Sequence, residues 1–175
     1  TTMSNTPAPE RDILEYDIAI IGGGPAGLAA AIRFKQQDTD NAYSVCVVEK
    51  AAEIGGHSLA GAVLEPRALD ELLPDWREEK TFDATPVSKD TFKFLTGNKA
   101  LRLPTPPQMY NHGNYIISIG QMCKYLAEKA EQMGIDVLPG FAAQEALVEN
   151  KSVYGVRTGD FGVAKDGSKT EGYTP

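Results

Sequence analysis

The stretch Tyr16-Asp17-Ile18-Ala19-Ile20-Ile21-Gly22-Gly23-Gly24-Pro25-Ala26-Gly27-Leu28 decides the fold. Tyr16 to Ile21 reads as a short buried strand, and from Ala26 to Gln37 the Ala, Leu, Ile, Arg, Lys and Gln content favours a helix. Between them Gly22, Gly24 and Gly27 satisfy G-x-G-x-x-G, a spacing that becomes informative when it leaves a strand and opens a helix. Gly22 permits the tight turn, Gly24 lets a pyrophosphate approach the backbone, and Gly27 lets the helix pack close to the sheet. Unpaired N–H groups and the positive end of the helix dipole then stabilise the phosphates without a cationic side chain.

Working outward, Asp38 to Asn41 is a polar connection, and Tyr43 to Val48 reads as a second strand covered on both faces, parallel to the first. Glu49 closes that strand about 22 residues after Gly27, where its carboxylate can accept from ribose hydroxyls and repel a 2′-phosphate, disfavouring NADP. The turn does not choose between FAD and NAD, because both present the same adenosine diphosphate to it.

Pro66 to Leu73 predicts a short helix, and Asp75 to Pro107, rich in Pro, Thr, Lys and Asp, reads as an irregular excursion from the sheet. Ile119, Met122, Cys123, Leu126, Ala130 and Met133 recur at helical spacing. Ser118 and Gln121 form a capping-box pattern before them and Gly134 supplies the stop. Ile135 to Leu138 reads as a strand, and Ala146–Val148 with Val153–Val156 as a small antiparallel ribbon; the last fifteen residues are polar and glycine-rich.

A net charge of −7 without a basic run argues against a nucleic-acid partner, and the apolar runs fall short of the roughly 20 residues a spanning helix needs. Residues 1–14 read as a flexible arm without signal- or transit-peptide character, and residues 15–175 as one partial domain whose excursion covers about 75–115. Cys46 and Cys123 lie far apart, suggesting neither a disulfide framework nor a thiolate metal site and fitting a reducing compartment. His57 and His112 lack partners at ligand spacing, and no general base or nucleophile stands out.

The run Glu49-Lys50-Ala51-Ala52-Glu53-Ile54-Gly55-Gly56-His57-Ser58-Leu59-Ala60-Gly61-Ala62-Val63-Leu64-Glu65-Pro66-Arg67-Ala68 resembles the electron-transfer flavoprotein:ubiquinone oxidoreductase family. So do Glu71–Trp76, Thr85–Val87, Asn111–Tyr115 and Pro139–Ala143, and the resemblance covers nearly everything after the arm. It implies an α/β, Rossmann-like FAD-binding domain of the glutathione-reductase type, incomplete, with a small β-ribbon excursion. It also implies electron transfer from reduced electron-transfer flavoprotein to ubiquinone through FAD and a [4Fe-4S] cluster. Carried over by residue, Gly22, Gly24, Pro25, Ala26 and Gly27 would hold the pyrophosphate, and Glu49 with Lys50 would lie along the adenosine. Gly56, His57, Ser58 and Gly61 would line the flavin side, His57 by positioning, and Ala142 with Ala143 would face the adenine.

The family's proteins are several times this length. The chain is therefore expected to be their N-terminal FAD-binding part, to lack the cluster cysteines and the later segment around the ribityl chain, and to hold FAD poorly by itself. The resemblance also implies monotopic seating on a membrane, the cytoplasmic face of a bacterial inner membrane or the matrix face of the mitochondrial one. Phe92, Phe94, Leu95, Leu101, Leu103 and Pro104 read either as a satellite core, the favoured reading, or, beside Lys93 and Lys99, as a membrane contact. The rival readings are another FAD-dependent reductase of the geranylgeranyl-reductase type and an inactive nucleotide-binding fragment.

Overall fold

The computed structural model describes residues 11–163 and 168–174; most of the expected arm (1–10), and 164–167 and 175 of the polar tail, lie outside the described residues. Three parallel strands form the central sheet in the order β1-β2-β8: β1 (Ile18–Ile21), β2 (Val45–Glu49) and β8 (Asp136–Pro139). Ile18 stands opposite Val45 and Ile21 opposite Val48, while Cys46 pairs with Asp136 and Glu49 with Pro139. As the middle strand, β2 buries Val45, Cys46, Val47 and Val48 in succession, which is why its sequence is continuously apolar. The first strand differs from its expectation as a buried one. Ile18 and Ile20 pack on the core, whereas Ile21 is 51% exposed, because alternate side chains of β1 point to opposite faces and only one face is covered.

Two helices pack on each other and on the sheet: α1 (Pro25–Gln37) and α4 (Ile119–Gln132). Leu28, Ala31 and Ile32 of α1 meet the core that also holds Met122, Cys123, Leu126, Ala127 and Ala130 of α4, and burying each Leu or Ile stabilises the fold by about 1.5–3 kcal/mol. At the start of α4 the Ser118 hydroxyl accepts from the Gln121 N–H at 3.4 Å. The reciprocal half of the capping box is not made, because the Gln121 side-chain oxygen accepts instead from the Asp83 N–H at 3.3 Å. At the other end Gly134 is left-handed (φ 79°), the Gly134 N–H donates to Glu131 O at 2.9 Å and the Ile135 N–H donates to Ala130 O at 3.1 Å. This pair of bonds satisfies two terminal carbonyls and turns the chain into β8.

The region expected to be an irregular excursion is a second, antiparallel layer. Its sheet runs in the order β3 (Gly61–Leu64), β7 (Tyr115–Ser118), β4 (Ala84–Pro86). Strand β3 leads into α2 (Arg67–Leu72), and α3 (Trp76–Glu79) precedes β4. Trp76, 3% exposed, stacks on Phe82 with centroids 5.6 Å apart and meets Tyr115 edge-on at 5.3 Å. Its indole N–H donates to Asp70 at 2.7 Å, and the same carboxylate takes two bonds from Arg77, whose guanidinium lies 4.6 Å over the indole ring. The Arg77 charge and the indole N–H together hold the Asp70 carboxyl below the usual carboxylate range.

Strands β5 (Phe92–Leu95) and β6 (Ala100–Leu103) form a hairpin, and here the satellite-core expectation fails. Phe94, Leu95, Leu101 and Leu103 are 57%, 72%, 53% and 41% exposed, because a two-stranded hairpin has no third layer to cover it. The ribbon β9 (Ala143–Glu149) and β10 (Ser152–Thr158) is longer than expected and closes through Asn150 and Lys151, both at positive φ, as a two-residue hairpin turn requires. The tail contributes a further pair, β11 (Phe161–Val163) and β12 (Lys169–Thr174). Of the arm, Arg11 is tied down by an ion pair to Asp160 and a bond to Thr158 O.

Two outcomes are expected. Trp76→Ala, by emptying the stack, should lower stability by about 3–5 kcal/mol in urea unfolding. Because the Asp70 pKa is lowered in the fold, its contribution is present above the unfolded carboxylate value and lost as pH falls through the folded one. Asp70→Asn should therefore flatten the acid limb of a stability-against-pH curve while wild type stays sloped.

Candidate functional site

Because the three central strands are parallel, their carboxyl ends share one edge, and the chain leaves that edge at Gly22, at Glu49–Lys50 and at Pro139–Gly140. Open α/β sheets bind ligands in this position. Gly22, at φ 109°, makes the turn and donates its N–H to Val48 O at 2.8 Å. Glu49 then ties the edge together: one carboxylate oxygen accepts from the Gly23 N–H at 2.7 Å and the other from the Ala51 N–H at 2.8 Å. Ala51 in turn accepts from the Gly140 N–H at 2.7 Å, so the ends of all three strands are joined through two residues.

Of the turn glycines, Gly23 and Gly27 touch protein, whereas Gly22 and Gly24 face open space. A Cβ on Gly27 would lie 2.0 Å from Gly22 O, so α1 and the turn meet backbone to backbone. A Cβ on Gly23 would lie 2.7 Å from the Ile54 side chain and 3.0 Å from that of Glu49. As at Gly22, no heavy atom stands within 4 Å of where a Cβ on Gly24 would be, and unlike Gly22 it is not at positive φ, so the backbone does not itself require glycine there. Gly24 is also the N-cap of α1, with no side-chain cap and no acidic residue in the first turn, and Pro25 occupies the position where no N–H is needed. The Ala26 and Gly27 N–H groups lie in the first turn of α1, where no intrahelical partner exists, and with the open space at Gly24 they make a cradle suited to an anion. Glu49 uses two of its roughly four lone-pair directions on the backbone and retains acceptor capacity for hydroxyls.

The other sequence-predicted residues lie along this edge to different degrees. Lys50, Gly56 and His57 are exposed and Ser58 is half-buried, on the loop that follows β2. Gly61 begins β3, where a Cβ would stand 3.2 Å from Ile117 O. Ala142 is half-buried and its carbonyl accepts from the Gly159 N–H at 2.8 Å, while Ala143 opens β9 opposite Thr158, so this backbone is committed to the ribbon. Gly23 and Ala51 escaped the sequence reading; Gly23 is the first x of the motif, where a glycine was the one available signal, and nothing in the sequence marks Ala51. A shallow cleft elsewhere, lined by residues including Phe82, Gln121, Lys124 and Tyr125, shares none of these groups.

Fold and turn together define a Rossmann-like α/β class, and the family profile described as "NAD(P)-binding Rossmann-like domain" matches residues 20–70. More particularly, the chain is similar to electron transfer flavoprotein-ubiquinone oxidoreductases. It is 55% identical to the mitochondrial protein of Oryza sativa subsp. japonica over 94% of this chain and 29% of that protein. It is 50% identical to that of Dictyostelium discoideum over 98% of this chain and 29% of the relative, and 50% identical to that of Pseudomonas aeruginosa over 94% and 31%. The resemblance read from the sequence thus holds over nearly the whole chain, and the chain spans about 30% of the length of these relatives.

Among solved structures, a geranylgeranyl bacteriochlorophyll reductase-like protein from Thermoplasma acidophilum shares the fold with a TM-score of 0.58 at 23% identity, covering 82% of this chain and 34% of that one. The myxobacterial chondrochloren halogenase, a variant of the FAD-dependent halogenases, does so with a TM-score of 0.57 at 18% identity, over 82% and 32%.

Two glycine variants should separate cradle from packing. Gly24→Ala should leave thermal stability within about 1 kcal/mol of wild type while weakening adenine-dinucleotide binding at least about tenfold. Gly27→Ala should cost about 1–3 kcal/mol or more before any ligand is added, read by urea unfolding.

Proposed function

We propose that this chain is the FAD-binding portion of an oxidoreductase that carries electrons from reduced electron-transfer flavoprotein to ubiquinone. The observation that carries the reading is the open Gly24 cradle at an uncapped helix start, beside a carboxylate already oriented by Gly23 and Ala51. That donor set fits FAD: backbone N–H groups for two phosphates, and Glu49 for the ribose hydroxyls. When bound, FAD supplies the electron-transfer chemistry, and the protein supplies binding and orientation. Gly22, Gly24, Pro25, Ala26 and Gly27 hold the pyrophosphate, and Glu49 with Lys50 follows the adenosine. Gly56, His57, Ser58 and Gly61 line the flavin side, and Ala142 and Ala143 border the adenine. Residues 15–175 make up this partial domain.

The choice of electron donor and acceptor rests on the relatives' names and on sequence identities of 45–55%, far above the 23% of the geranylgeranyl-reductase-like structure, so that alternative is not favoured. A [4Fe-4S] cluster does not fit the residues of this chain. Cys46 and Cys123 are both buried, on different elements, with thiols pushed up by burial, so a cluster needs ligands from elsewhere.

Membrane seating is supported by the exposed apolar hairpin. Phe94, Leu95, Leu101 and Leu103 stand uncovered beside Lys93 and Lys99, the pattern of an interfacial element with cations at lipid headgroups. Among the described residues no helix is long and apolar enough to cross a membrane, and the relatives include mitochondrial and bacterial proteins. The seating is on the cytoplasmic face of a bacterial inner membrane or on the matrix face in mitochondria.

Flavin retention tests the first part. The protein as its gene encodes it should purify yellow and release FAD on acid treatment; a colourless protein that does not take up added FAD overturns the assignment. For the second part, Phe94→Asp with Leu101→Asp should reduce partition into anionic vesicles at least about tenfold, and unchanged partition would count against the hairpin.

A further inference from the structure

Between the cradle and the antiparallel layer, the loop Gly55–Gly61 runs over the first turn of α4 at unusually close range. A Cβ on Gly55 would lie 2.5 Å from Gly120 O and 2.8 Å from Gly120 Cα, and Gly55 itself is left-handed at φ 77°. In the other direction, a Cβ on Gly120 would stand 3.1 Å from Gly55 O and 3.7 Å from Ser58 O. The Gly55 carbonyl has a second duty, because it accepts the Ser58 N–H at 2.9 Å and so closes the turn that presents Gly56, His57 and Ser58. One helical turn further along α4, Lys124 pairs with Glu53 at 2.9 Å, an exposed contact that is weak by comparison. The backbone crossing is therefore the firm support of the loop; the Glu53 carbonyl accepts the Gly56 N–H at 3.1 Å, and a methyl on Gly120 would press on the other turn-closing carbonyl, that of Gly55.

We infer that Gly120 is a positioning residue for the flavin: by having no side chain it seats the Gly55 carbonyl, which fixes the turn carrying His57 and Ser58 at the height the isoalloxazine side of the site requires. This rests on the FAD reading above. Gly120 lies within α4 and not at positive φ, so alanine suits its backbone and improves helix propensity. Its two effects are opposite in sign, and that makes them separable: the apo fold gains or holds, while the loop is displaced by the few tenths of an ångström needed to relieve a 3.1 Å contact.

The test uses Gly120→Ala in the protein as its gene encodes it, with FAD as the probe. The expected result is an apo melting temperature equal to or above wild type, FAD dissociation about tenfold easier, and altered visible circular dichroism of the flavin that remains. Lys124→Ala should leave all three unchanged. An alanine variant with wild-type FAD affinity and flavin dichroism overturns the assignment. So does one that fails to fold or whose apo form melts lower, since Gly120 would then be a packing residue only. If wild-type protein takes up no FAD, the functional reading falls and this inference falls with it, whereas flavin-replete wild type beside an indifferent variant sinks the inference alone.

Discussion

Everything at the ligand edge depends on where the Glu49 carboxylate points. Its two oxygens accept backbone N–H groups from the glycine turn after β1 and from the chain leaving β2, and Ala51 passes the connection to Gly140 after β8. Hydrogen bonds to a charged acceptor contribute about 1.5–3 kcal/mol each, enough to hold three strand ends in register. The same arrangement fixes the acceptor geometry before a ligand arrives, so little ordering cost remains to be met on binding. Loss of this carboxylate would release the glycine turn and the chain leaving β2 together, so under the proposed FAD reading a structural and a binding role cannot be divided at this position.

The parallel half of the fold was legible in the sequence because its signals are local and mutually consistent. Glycine spacing, a helix rich in Ala, an unbroken apolar run in β2 and the Ser118 and Gly134 stops of α4 each name one element. The antiparallel half was not. Its strands β3, β4 and β7 are three or four residues long, β4 ends in proline, and what makes them strands is pairing between positions as distant as Gly61 and Ser118. No window of sequence contains that information. Gln121 shows the same limit in miniature, since its spacing from Ser118 fits a capping box while a neighbour brought in by the fold, Asp83, takes its side-chain oxygen.

The site was legible to a similar depth. The turn at Gly22, the close helix packing at Gly27 and the strand-closing place of Glu49 were legible because each is a backbone or acceptor position that one residue type fills best. The Phe92–Leu103 segment was misjudged as satellite core because apolar composition alone cannot distinguish a covered cluster from an uncovered one. Gly55 and Gly120, sixty-five positions apart, gave no sign of meeting, and only the crossing of their backbones reveals that two ordinary glycines form one contact.

The placement of Trp76 has a practical consequence. It is the chain's one tryptophan, and it is packed against Phe82 and Tyr115 in the antiparallel layer, outside the parallel sheet. Its emission, from a dry and aromatic surrounding, should report that layer and not the central parallel sheet. Compared with the far-ultraviolet signal of the whole backbone, it shows whether the antiparallel layer comes apart with the parallel sheet or before it, without attaching a label.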